Sequence, residues 1–194
     1  MSYLDDAAAQ VEVFEGKVPW LYRDMRGNVT CGVGKMLANM EAALALPFYT
    51  AEGKPATAAQ IESDWKRVMG MPFSAKYAAA YYRCANSLML EDEDIDSMLV
   101  EVLRTCDGEL ATEFAAYAEF PACVKMALLD MDYNLGSTKL RTTYPKFNAA
   151  VNAKDWLTAA AECQRQGISE ERNAWTAGQL KQALGGEPAA NAIG

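Results

Sequence analysis

Glu15 and Asp24 stand nine positions apart, and Thr30 follows six positions later. Cleavage of a glycosidic bond asks for this kind of set. One carboxylic acid protonates the leaving oxygen, and a second carboxylate activates a water or attacks the sugar. A hydroxyl such as that of Thr30 can help hold the water. Spacing alone decides little, because the chain carries 26 acidic residues and most such pairs are solvated surface carboxylates. Other chemistries have less to work with. There is no His, and the five cysteines (Cys31, Cys84, Cys106, Cys123 and Cys163) form no CxxC pair. Neither a zinc site nor any other metal or cofactor is expected, and the thiols read as reduced, small packing residues.

The elements that must position these residues are legible nearby. Ser2 can cap a helix in which Leu4, Ala7, Ala8, Val11 and Phe14 fall at helical spacing. Gly16 stops it, so Glu15 occupies its last turn. There the negative end of the helix dipole disfavours a charged carboxylate, which suits a proton donor. Two extended runs, 19–23 and 28–34, flank a Gly-containing turn and predict a hairpin. Val29, Cys31 and Val33 share one face. Thr30, Gly32 and Gly34 share the other, which is nearly bare and open to a ligand or another backbone.

Glu15-Gly16, then Tyr22-Arg23-Asp24-Met25-Arg26-Gly27, then Thr30-Cys31-Gly32-Val33-Gly34 resembles the signature of the phage-type (T4 lysozyme-like) lysozymes, the muramidases of glycoside hydrolase family 24. The segments Asp130 to Gly136 and Tyr144 to Trp156 are similar to that family's later helices. The resemblance covers residues 1–38 and about 88–184. It implies an α+β, mostly helical, two-lobed lysozyme-like fold, with a small N-terminal β-hairpin lobe and a larger helical lobe. It also implies an inverting muramidase that cuts the MurNAc-GlcNAc β-1,4 bond of peptidoglycan. Glu15 would be the acid, Asp24 would position water and Thr30 would support that water. Met36, Tyr133, Asn134 and Lys146 match positions that line the sugar cleft. Two departures stand out. Lys35 replaces the family's usual His, and a Lys there is able to keep a salt bridge with a different pH response. Residues 39–87 form an insertion that would enlarge the small lobe, cover the cleft or bind something else.

The remaining chain reads as one domain, residues 1–194, with a loose tail at 185–194. Thr57-Ala58-Ala59-Gln60 is a capping-box pattern before a helix that ends at Gly70. Residues 76–84 read as a short Tyr-rich helix. An amphipathic helix spans 90–106, with the acidic run Glu91 to Asp96 at its start. Further helices are expected over 109–117, 121–134, 144–151, 155–164 and 169–184, with Arg172 pairing to Glu170 or Glu171 or packing along the cleft. A net charge of -8 and a pI near 4.7 argue against nucleic acid, which needs clustered Lys and Arg. The first ten residues lack an apolar stretch, so no signal peptide is expected, and no run is long enough to enter a membrane. The expected partners are peptidoglycan glycan strands, with an immunity or inhibitor protein if the chain is an injected antibacterial effector rather than a phage endolysin. Both roles have the chain made in the cytoplasm and acting at the cell wall, in the periplasm, as a monomer. A non-catalytic wall-binding module and a lytic transglycosylase are the competing readings.

Overall fold

A computed structural model describes residues 2–185; from residue 186 on, the tail expected to be loose lies outside the described residues. Helix α1 (Tyr3–Glu15) leads into three short strands, β1 (Val18–Arg23), β2 (Val29–Gly32) and β3 (Lys35–Leu37), which form one antiparallel sheet in that order. Then come α2 (Met40–Leu44), α3 (Ala58–Met69), α4 (Asp92–Glu113), α5 (Ala122–Leu135), α6 (Ser137–Thr143), α7 (Pro145–Asn152), α8 (Trp156–Glu162) and α9 (Glu170–Gln182). The protein is α+β and mostly helical. Two compact units can be distinguished: Glu15–Leu99, which holds the sheet, and a helical unit made of residues up to Phe14 together with those from Val100 on. No helix among the described residues is long and apolar enough to cross a membrane.

In the sheet unit, Leu21, Val29, Cys31 and Leu37 are buried and anchor the strands. Gly32-Val33-Gly34 is a tight connection between β2 and β3 rather than the continuation of one strand, with Cys31 paired to Lys35. Gly32 has φ +62 and Gly34 φ +70, a conformation that glycine tolerates without cost. The expectation of a bare face is corrected at Gly32. A Cβ there would meet Met98 at 3.5 Å and Ile95 at 3.6 Å, so these side chains, not a ligand, occupy the approach.

Residues 39–87 brace the hairpin. Thr57 and Gln60 form the expected reciprocal capping box on α3, whose Ile61 and Val68 are buried. Arg67 and the buried Asp64 form an ion pair at 2.7 Å. The other Asp64 oxygen accepts the Leu88 N–H at 3.3 Å, and Arg67 also donates to the Tyr82 carbonyl at 2.8 Å. From β1, Arg23 donates to the carbonyls of Met69 and Met71 at 3.0 and 2.9 Å and lies 4.1 Å over the Phe73 ring. Gly27, with φ +90, has Phe73 where a Cβ would be, at 2.8 Å, so any larger residue would displace that brace. Residues 76–84 hold only a short 3-10 turn, Ala79–Tyr82, in place of the expected helix. Tyr82 is fully buried there and donates to the Pro72 carbonyl at 2.9 Å.

In the helical unit α5 forms the spine, with Val124, Ala127, Leu128, Leu129 and Met131 all fully buried. Phe114, Phe120 and Trp156 pack ring against ring beside it. The separate helices expected over 90–106 and 109–117 merge into one α4 that ends at Glu113. Gly108 has open space around it and costs only ~1 kcal/mol in a helix, while Leu103, Cys106 and Leu110 stay buried on the same side. Asp130, at the centre of α5, receives Nε of Arg172 at 2.8 Å, Nη2 of Arg165, and the Thr176 hydroxyl at 2.8 Å. Arg172, expected to pair with Glu170 or Glu171 or to pack along the cleft, has its side chain buried against Asp130. All five cysteines are free thiols. Four are at least partly buried, as small packing residues would be, and Cys84 is exposed.

Candidate active site

Glu15 is exposed as the last residue of α1, directly before Gly16 at φ +74. Asp24 opens the β1–β2 turn, where its N–H meets the Asn28 carbonyl at 2.9 Å and its carbonyl accepts the Gly27 N–H at 3.0 Å. The Asp24 carboxylate is held from three sides. Oδ1 accepts the N–H groups of Arg26 at 2.8 Å and Asn28 at 2.9 Å, and Oδ2 accepts the Asn28 amide at 2.9 Å. Burial pulls Asp24 towards the neutral form. The hydrogen bonds from the Asn28 side chain and from the Asn28, Arg26 and Gly27 backbone outweigh it and hold the carboxyl below its usual range. A carboxylate held charged in this way can accept a hydrogen bond from a water. Being a weak base, it suits orientation of that water better than abstraction of its proton.

Thr30 is buried, and its hydroxyl donates to the Asn28 carbonyl at 3.3 Å. The lone pairs of the oxygen are left to receive a water proton. Thr30 pairs with Tyr22 on one side and with Met36 on the other, so Tyr22, Thr30 and Met36 make one row across the sheet. Met36 is 57% exposed, a reach into solvent that suits a contact residue better than a core one.

The Tyr22 phenol in this row is shifted away from its charged form. Burial pushes it up to about 12, and Cys31, Asp24 and Glu15 add to the effect in that order. Sequence reasoning missed two residues here. Asn28 ties Asp24 to Thr30, and its only visible signal is an amide residue directly after the turn glycine. Tyr22 was visible as a motif position but had no assigned role until the strand register placed it opposite Thr30.

The other residues expected at the site are placed as follows. Tyr133 and Asn134 are half-buried near the end of α5, and Lys146 is exposed at the start of α7; all three belong to the helical unit. Lys35 forms no ion pair among the described residues. Its charge instead acts on its cross-strand partner Cys31, partly offsetting the burial that pushes that thiol up to about 12. Among the described residues no group of three His, Cys, Asp or Glu is placed to hold a metal ion.

The linkage of Asp24 to stability has a definite sign. A carboxyl lowered in the folded state stabilises the fold at pH above its ordinary range, and that contribution is lost as pH falls through the folded value. Asp24→Asn is therefore expected to be less stable than wild type at neutral pH, with the gap closing below about pH 4. Urea unfolding of both proteins at several pH values checks this. A gap independent of pH would show that the hydrogen bonds do not depend on the charge.

A scan against protein-family models and a search of curated proteins find no match to this chain.

Proposed function

We propose that this protein is a lysozyme-like muramidase that hydrolyses the β-1,4 bond between N-acetylmuramic acid and N-acetylglucosamine in peptidoglycan, within a two-lobed fold. The observation that carries the reading is the Asp24–Asn28–Thr30 hydrogen-bond chain of the β1–β2 turn, which holds a charged carboxylate and a hydroxyl together. Glu15 protonates the leaving oxygen. Asp24, held charged by the turn, and Thr30 orient the attacking water on the opposite side, which gives inversion at the sugar. Met36, Tyr133, Asn134 and Lys146 contact the glycan. The enzyme acts at the bacterial wall, as an endolysin or as an injected effector with a cognate inhibitor. Incubation with purified sacculi tests this: wild type is expected to clear the suspension and generate new reducing ends. Binding to sacculi without new ends would establish a wall-binding module instead.

A further inference from the structure

A second polar centre lies in the helical unit, between α4, α5 and α6. Asp132 is 2% exposed, yet among the described residues neither of its carboxylate oxygens has a hydrogen-bond partner of good geometry. The neighbour that acts on it as a donor is the Cys106 thiol, which donates weakly. A buried carboxyl left in this state is costly, and an unsatisfied group in a folded protein calls for an explanation. Asp130, two positions earlier on the same helix, is fully satisfied by Arg165, Arg172 and Thr176. The fold therefore supplies partners to a buried carboxylate in one case and withholds them in the other.

Asp132 lines a cavity of about 230 Å³ that it shares with Glu109, Leu110, Glu113, Leu140 and Arg141. That volume holds roughly seven or eight waters, or a small organic molecule. Leu110 and Leu140 are buried and give it apolar walls, while Glu109, Glu113 and Arg141 are exposed at its mouth. Arg141, the cation at the mouth, stands 3.7 Å from Glu113 and makes no ion pair with Asp132. Burial, with Glu109 adding to it, moves Asp132 towards the neutral form, and the Cys106 thiol opposes them. A divalent metal ion needs several oxygen ligands, and no three-ligand group exists among the described residues.

We propose that this cavity is a binding site for a small primary alkylammonium ion, its charged head on the Asp132 carboxylate and its alkyl chain against Leu110 and Leu140. The acidic side chains at the mouth favour a cation over an anion. The apolar walls favour an alkyl chain over a bare ion, whose hydration they could not replace. The site is independent of the proposed role of Glu15.

The test is an NMR titration of the full chain with n-butylammonium chloride, sodium butyrate and n-butanol at matched ionic strength. Saturable binding of butylammonium is expected, with shifts at the Asp132 and Leu140 amides. Butanol and butyrate should bind at least about tenfold more weakly. Asp132→Asn, which removes the buried charge with little change of shape, should lose butylammonium binding by a similar factor, and Glu113→Gln should weaken it less. Equal binding of butanol, unchanged binding in Asp132→Asn, or no saturable shift with butylammonium would each overturn the assignment. The wild-type comparison of the three probes stands even if a variant fails to fold.

Discussion

Glu15→Gln is expected to lower the release of reducing ends from purified peptidoglycan by about a thousandfold or more, within the range attributed to general acid catalysis. The amide keeps the shape of the side chain but has no acidic proton to give to the leaving oxygen. The fold is expected to persist. Glu15 is exposed at the end of α1, and Gln keeps its length and an acceptor oxygen. Parallel measurement of turnover and of the thermal midpoint checks both halves. Near-normal turnover would remove Glu15 from the chemistry, and a large loss of stability would make it structural. Asp24→Asn gives a useful contrast, since it is expected to alter both. Its carboxylate holds the turn through Arg26 and Asn28 as well as facing the proposed water.

The largest stability effect is expected at Asp130. Its carboxylate is buried and receives two guanidinium groups and a hydroxyl, and Arg165 also donates to the Asp130 carbonyl at 3.1 Å. Asp130→Ala removes a buried carboxylate from two buried guanidinium groups, a change that typically costs about 3–5 kcal/mol. In a chain of this size that lowers the midpoint of unfolding by roughly 10 °C or more. Asp130→Asn, which keeps the acceptor oxygen but not the charge, should fall between. Asp132→Leu should shift the midpoint the other way or leave it alone, because it replaces a buried carboxyl that has no strong partner. Thermal unfolding of these variants checks the contrast. Equal losses at Asp130 and Asp132 would mean that helix position, not partnering, sets the cost.

Which parts of this were legible in the sequence follows from the physics of each signal. Caps work through neighbours in the chain, so Ser2 and Thr57 marked helix starts that the structure keeps. Gly16 likewise marked the end of α1. Signals that depend on distant packing were misread. Two helices were expected on either side of 107–108, but Leu103, Cys106 and Leu110 hold α4 through that point. The Tyr-rich stretch before Cys84 looked helical, but burial of Tyr82 and the Trp20 N–H bond to the Ala79 carbonyl at 2.9 Å fix it as a short turn. Gly32 looked like room for a ligand, and Ile95 and Met98 take that space. Helices α2 and α6 are short and gave too little periodicity to find. For the candidate site, the sequence offered Glu15, Asp24 and Thr30 as separate letters. It could not show that Asn28 bonds to both Asp24 and Thr30, nor that Tyr22 pairs with Thr30 across the strands. Those relations depend on turn geometry and strand register, which a spacing rule does not contain.

The most direct measurement is mass analysis of the soluble products formed from purified sacculi by wild type and by Glu15→Gln. Hydrolysis by the proposed route predicts muropeptides that end in reducing N-acetylmuramic acid from wild type, and almost none from Glu15→Gln. Anhydro ends, reducing N-acetylglucosamine ends, or no soluble products from wild type would contradict the account.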